Sequence, residues 1–485
     1  MPRRGAALLA LAAIVMGGCG SGGENPVKAP SHPPAGRKPV IFEPGPLELT
    51  GDARDQTLDE IAAMGVDRIR MVVFWSRVLP VGRPASFDGS NPGDPAYDFS
   101  PYDSFMRAAA ERGFKVLVTI SGLGPAWTNE GGAAEAPPDV SAFGDFARAV
   151  ATRYSGHYSP ASGGGELPAA TMWSVWNEPN LSLFLKPQYV DGRPYSPILY
   201  RHLFIAAQDA IRAADPSVPI LIGDTAPTGS TDSVDPVPFA RGVLCLDPAT
   251  DQDPSCSERI DPAGWATHPY QGTGQAPFEP PAKGSFVTLS AIGSLTHVLH
   301  EAAVAGTVGT ELPIYITEYG IQSRPDPLGV PLQTQADWLS ISEQLAYAYP
   351  RVRTYAQYLM RDDPPDHIPG VAYGGFESGL RFYDGPKKPS FDSFRLPLAV
   401  RREGDKVSIW GLVRPATGVT TAEVRVADGG IQKTLKRVRT DPAGIISFDS
   451  SYLQGRLWQL RWRSPGGETF EGPWTRSYEY SVPGG

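Results

Sequence analysis

Trp173-Ser174-Val175-Trp176-Asn177-Glu178-Pro179-Asn180 is a short β-rich run that stops on a glutamate, because Pro179-Asn180 ends a strand and turns the chain into a loop. Ile314-Tyr315-Ile316-Thr317-Glu318-Tyr319-Gly320 does the same. Each run puts a carboxylate at a strand end. The two glutamates lie 140 residues apart, so the fold rather than local sequence must bring them together. Two carboxyl groups converging in one cleft is what cleavage of a glycosidic bond requires: one protonates the leaving oxygen, the other attacks or activates water. A single glutamate at a strand end is more often a solvated rim residue. Two such ends, with Trp173 and Trp176 beside the first, fit a sugar cleft better, since aromatic faces suit the apolar faces of sugar rings.

Outward from these runs, residues 39–395 alternate apolar strand-like stretches with amphipathic helices. Pro39-Val40-Ile41-Phe42 supplies a possible first strand, followed by 66–75, 114–120, the Glu178 run, 220–224, 264–268, the Glu318 run and 355–359. Helical patterns at 58–64, 102–112, 143–154, 198–214, 289–305 and 336–347 fall between them. Eight such units predict an α/β chain folded as a (β/α)8 TIM barrel with enlarged loops. Polar groups at the carboxyl ends of barrel strands converge on one face, and Arg70, Asn177, Glu178, His268 and Glu318 all fall there.

Residues 396–485 differ. Short alternating runs such as 406–410, 422–426 and 457–462 are separated by Asp428-Gly429-Gly430, Asp441-Pro442-Ala443-Gly444 and Pro465-Gly466-Gly467, which predicts a small all-β sandwich, an accessory domain folding independently of the barrel. At the other end, Met1-Pro2-Arg3-Arg4, an apolar run over 6–16 and Gly17-Gly18-Cys19 read as an export signal of residues 1–19, too short to span a membrane. Cys19, followed by a Gly-, Ser- and Pro-rich stretch, resembles the lipidation site of a bacterial lipoprotein, with residues 20–38 as a flexible linker; a plain secretory signal is the alternative. Either way the protein is expected outside the cell, secreted or held on the surface by lipid at Cys19 alone. The remaining cysteines, Cys245 and Cys256, share one Pro- and Asp-rich loop, and an oxidising compartment predicts a disulfide between them. That loop has no histidine, which argues against a metal there.

Charge narrows the ligand class. Residues 39–395 hold 25 Lys and Arg against 42 Asp and Glu, a net of −17, which repels nucleic acid and other polyanions. The preferred ligand is neutral or cationic.

With those residues in view, the chain resembles the clan A glycoside hydrolases, most nearly family 39 and the related family 5 cellulase-like enzymes. Trp176-Asn177-Glu178-Pro179-Asn180-Leu181 looks like the family 39 acid/base motif and Thr317-Glu318-Tyr319-Gly320 like its nucleophile motif. Arg70 matches the second-strand arginine of the clan, and His268-Pro269-Tyr270 the His-x-Tyr that ends the sixth strand. The resemblance implies Glu178 as general acid and base, Glu318 as nucleophile, Asn177 on the sugar 2-hydroxyl, Arg70 and Tyr270 holding Glu318, and His268 lining the subsite or simply packed. Trp75, Trp127 and Trp265 are candidate sugar platforms or core. The eighth strand departs from the clan: Gln357-Tyr358-Leu359-Met360-Arg361 stands where a tryptophan is common, and Arg361, Asp362 and Glu377 are the polar residues near it. The implied enzyme is a retaining hydrolase of β-linked neutral oligo- or polysaccharides, with no metal or organic cofactor. A transglycosylase using the same intermediate and a non-catalytic carbohydrate-binding lipoprotein are the rival readings; intact Glu178 and Glu318 argue against the second.

Overall fold

The computed structural model of the chain describes residues 26–45, 51–248 and 250–483. Its centre is a closed barrel of eight parallel strands: β1 (Val40–Glu43), β2 (Arg68–Phe74), β3 (Lys115–Ser121), β4 (Met172–Val175), β5 (Ile220–Thr225), β6 (Gly264–Thr267), β7 (Ile314–Ile316) and β8 (Val352–Tyr358). These strands carry runs of Val, Ile and Leu because a parallel strand is buried on both faces, by side chains inside the barrel and helices outside. Closure pairs β1 with β8, and that register sets Glu43 level with Tyr358.

A helix follows every strand: α1 (Gly51–Ala63), α2 (Ser100–Glu111), α3 (Val140–Arg153), α4 (Ser196–Ala214), α5 (Pro236–Val243), α6 (Ile292–Ala305), α7 (Leu332–Ala348) and α8 (Pro389–Arg395). Their ends are signalled locally. Asp139 caps α3 by accepting from Ala142 N, proline stands in the first turn of α2, α4, α5 and α8, and α6 stops at Gly306, whose φ of 75° suits a residue without Cβ. The Cys245–Cys256 disulfide is formed in the loop after α5, with Cα atoms 5.9 Å apart. No helix among the described residues is long and apolar enough to cross a membrane.

Residues 398–471 form two antiparallel sheets. One holds β9 (Leu398–Glu403), β10 (Lys406–Leu412) and β13 (Ile445–Ser451); the other holds β11 (Thr421–Asp428), β12 (Ile431–Arg439), β14 (Leu457–Arg463) and β15 (Thr469–Glu471). Val407, Ile409, Val424, Leu460, Trp458 and Trp462 close the core between them. The sandwich packs directly on the barrel. Arg414 is buried against Glu343 of α7 at 2.5 Å, Trp410 packs on Tyr347 with ring centres 5.5 Å apart, and Leu398 N bonds to Ser340 Oγ at 3.1 Å.

The last two residues of the expected linker, Arg37 and Lys38, are tied to the rest of the fold. Arg37 is buried and donates to the carbonyls of Val413, Arg414, Ala416 and Ala443, while Lys38 Nζ caps α7 through Ala346 and Tyr349 and reaches Val352. The signal peptide, Cys19 and residues 20–25 lie outside the described residues.

Candidate active site

The site is built around Arg70. It sits on β2 inside the barrel, 1 % exposed, and all five of its N–H groups are used. Nε donates to Thr119 Oγ1 at 3.0 Å; Nη1 to Glu43 Oε2 at 2.7 Å and Glu318 Oε2 at 2.8 Å; Nη2 to Asn177 Oδ1 at 2.9 Å and Asp224 Oδ2 at 3.2 Å. One guanidinium therefore ties together the ends of β1, β4, β5 and β7. Burial alone would lower its pKa, but Asp224, Glu43 and Glu318 outweigh that and raise it.

Asp224, fully buried at the end of β5, is the second organiser. Ser174 and Thr317 donate to it at 2.6 and 2.5 Å, and His268 Nε2 lies 3.3 Å from its Oδ1. Burial opposes its charge, yet Arg70, His268 and Ser174 hold it well below the ordinary carboxylate range. Above it His268 reaches Glu178 Oε1 with Nδ1 at 3.0 Å and stands 3.6 Å from Glu318 Oε2. Burial would lower this imidazole, but Glu318 and the contacts with Asp224 and Glu178 raise it to about 10, so at neutral pH both ring nitrogens carry hydrogen.

Glu178 and Glu318 meet across the barrel mouth, although two strands separate β4 from β7 on one side of the barrel and four on the other. Glu178, His268 and Glu318 each offer an atom within 4.8 Å of the other two. That spacing is also compatible with a cation. Tyr270 donates its hydroxyl hydrogen to Glu318 Oε1 at 2.8 Å, so the carboxylate of Glu318 is held by two donors from opposite sides. Glu178 has His268 beside it, and burial, with the Glu318 charge acting the same way, raises its pKa. Trp176, Glu178 and Asp224 all adopt positive φ, of 68°, 46° and 46°. For residues with a Cβ that conformation is strained, and such strain gathers where function requires a side chain to be aimed.

Two cavities open from this point. One, of about 190 Å³, is lined by Glu43, Arg70, Asn177, Glu178, Glu318 and Tyr358. The other, of about 360 Å³, is lined by Glu178, Tyr270, Gln271, Gln322, Trp338 and Phe376. Glu318 borders only the first, and Glu178 borders both.

No protein-family model and no curated protein matches the chain. Solved structures do. A family 39 glycoside hydrolase from Bacteroides cellulosilyticus superposes with a TM-score of 0.51 at 16 % identity, over 86 % of this chain and 81 % of that one. A glucosidase from Croceicoccus marinus gives 0.53 at 14 % identity, over 89 % and 97 %. The chain shares the (β/α)8 barrel fold of these two enzymes.

Among the residues singled out from sequence, Arg70, Asn177, Glu178, His268, Tyr270 and Glu318 come together. Trp75 does not join them: the chain turns into a single helical turn at Trp75–Val78 directly after β2, and the indole folds back onto Phe146 with ring centres 5.3 Å apart. It is core, at 1 % exposed. Trp173, Trp176 and Trp265 are buried likewise, so no indole from β4 or β6 faces the cleft. Trp127 is half-exposed in a separate groove with Phe87, bordered by neither catalytic candidate. Gln357 is buried in bonds to the carbonyls of Leu359 and Ser378, leaving Tyr358 as the residue that β8 offers to the first cavity. Asp362 is paired with Lys388 at 2.6 Å and Glu377 is fully buried; both line a third cavity instead.

Sequence reading missed Glu43, Asp224 and Tyr358. Glu43 ends β1 much as Glu178 and Glu318 follow β4 and β7, and a third strand-end glutamate was the available signal.

Proposed function

We propose that the protein is a retaining glycoside hydrolase that cleaves β-linked neutral glycans by double displacement. The observation that carries this reading is the approach of Glu178 and Glu318 to within 4.8 Å, which fits a carboxylate that attacks the anomeric carbon directly and leaves no room for an intervening water. Glu318 is the nucleophile. Its two donors, Arg70 and Tyr270, fix one lobe of the carboxylate toward the first cavity, where the glycone ring sits. Glu178 borders both cavities, as the group that protonates the bridging oxygen between glycone and leaving group must. Burial raises its pKa, which favours the protonated form that a general acid needs. After the leaving group departs into the second cavity, Glu178 takes a proton from water and hydrolysis of the glycosyl-enzyme follows. Asn177, its Oδ1 engaged by Arg70, presents its amide hydrogens toward the sugar. Action outside the cell, with a lipid tether at Cys19, belongs to the same proposal.

A panel of aryl β-glycosides tests it. Wild-type protein releases the phenol from at least one of them and Glu318→Ala from none. Absence of turnover across neutral β-glycosides, or undiminished turnover by Glu318→Ala, would overturn the reading.

A further inference from the structure

We propose that the carboxyl-terminal arm, residues 475–483, positions the wall of the second cavity, so that the sandwich domain helps to select what is bound on the leaving-group side of the scissile bond. The inference rests on the functional reading above for the word leaving-group, but its geometry stands separately.

The arm is anchored on the sandwich first. Thr475 and Trp458 exchange backbone hydrogen bonds of 2.8 Å, and Tyr478 pairs with β9 through Val400 O at 2.9 Å and Arg402 N at 2.7 Å. It then lands on the barrel. The Tyr478 hydroxyl donates to Asp337 Oδ2 at 2.7 Å and the Tyr480 hydroxyl to Gln344 Oε1 at 2.5 Å, both on α7. The Tyr480 ring stacks on Phe278 with centres 5.1 Å apart and planes 16° from parallel, and Tyr478 lies 6.4 Å from the same ring. Tyr478, Tyr480 and Val482 pack with the barrel core, not the sandwich core.

Phe278 belongs to the loop after β6. Earlier in that loop Tyr270, Gln271 and Gln275 line the second cavity. Gln271 Nε2 reaches back to Glu279 O at 3.4 Å, and Ser290 Oγ holds the same carbonyl at 2.6 Å, so the lobe is closed on itself and Phe278 is its hydrophobic foot. On the other side Asp337 immediately precedes Trp338, which lines the cavity from α7. Two walls of one cavity are thus fastened by one arm. Without the stack, the lobe loses an apolar contact at its foot, and a segment with fewer apolar contacts opens more readily.

The test uses the full-length chain with Tyr480→Leu, and with Phe278→Leu to remove the same stack from the loop side; Tyr480→Phe keeps the stack. Hydrogen exchange over residues 271–279 is expected to quicken on the order of threefold or more in both leucine variants and to stay as in wild type in Tyr480→Phe. On substrates sharing one glycone, KM for a β-linked oligosaccharide is expected to rise about fivefold in the leucine variants while kcat and KM for a small aryl glycoside stay within about twofold. Unchanged exchange in the loop, or an equal loss on both substrates, would overturn the proposal. If wild-type protein turns over no glycoside at all, the hydrolase reading falls, and exchange alone decides whether the arm holds the loop.

Discussion

Glu43 and Glu318 share one nitrogen of Arg70, whose Nη1 donates to the first at 2.7 Å and to the second at 2.8 Å. Two carboxylates on one donor repel, and the half-buried Glu43 side chain takes most of the consequence. Burial first, with Glu318 adding to it and Arg70 opposing, raises Glu43 from 4.5 to about 7. A carboxyl group raised in the folded state stabilises it fully below the unfolded value and loses that contribution as pH rises through the folded one. Wild-type protein should therefore lose stability between pH 4.5 and 7 through this group, by about 3 kcal/mol at most. Glu43→Gln cannot ionise, and denaturant unfolding at pH 4.5 and pH 8 should show a smaller loss than wild type. Equal losses in the two proteins would rule out this protonation.

His268 acts in a higher window. Its pKa rises from 6.5 to about 10, so the stabilisation from its charge is complete below pH 6.5 and disappears as pH climbs through 10. In unfolding curves His268→Gln should be less stable than wild type at pH 6 and should flatten the decline from pH 6.5 to 10. The decline removed is on the order of several kcal/mol at most. A variant whose stability falls as steeply as wild type over that range would show that the imidazole is neutral throughout.

The sandwich and barrel should unfold together. Arg414 and Glu343 are both essentially buried where the domains meet, and removing one partner leaves an uncompensated buried charge. Arg414→Ala should cost about 3 to 5 kcal/mol. Calorimetry of wild-type protein should give one transition, and truncation before Arg401 should leave a barrel that is unstable or aggregates. Two well-separated transitions, with the barrel intact after truncation, would show the domains to be independent after all.

The barrel was legible from sequence because each strand is buried on both faces and each helix on one, giving runs and periods that no loop shares. Glu178 and Glu318 were legible because a Pro-Asn or Tyr-Gly turn follows each. The tryptophans misled for a related reason. Trp173 and Trp176 stand next to Glu178 in sequence, but Trp173 lies on a strand with helices outside it, and Trp176 turns at a positive φ to pack on Phe143 with its Nε1 bonded to Phe184 O. Asp224 was passed over because Ile222-Gly223-Asp224 is an ordinary strand end; only the convergence of Arg70, Ser174, Thr317 and His268 gives it a role. The arm onto Phe278 was invisible, since nothing local to Tyr480 tells where its ring will land.

Azide should separate the two carboxylates. With a good leaving group, Glu178→Ala should still form the glycosyl-enzyme and then stall, and azide should restore turnover with a product of retained configuration. In Glu318→Ala, azide would enter from the nucleophile side and give the inverted product. Rescue with the opposite stereochemistry in either variant would exchange the assigned roles.

The most direct measurement is the configuration of the sugar first released by wild-type protein, followed by proton NMR on an aryl β-glycoside before the anomers equilibrate. Double displacement through Glu318 requires the β-anomer to appear first. Appearance of the α-anomer first would mean a single displacement by water, and Glu318 would not be the nucleophile.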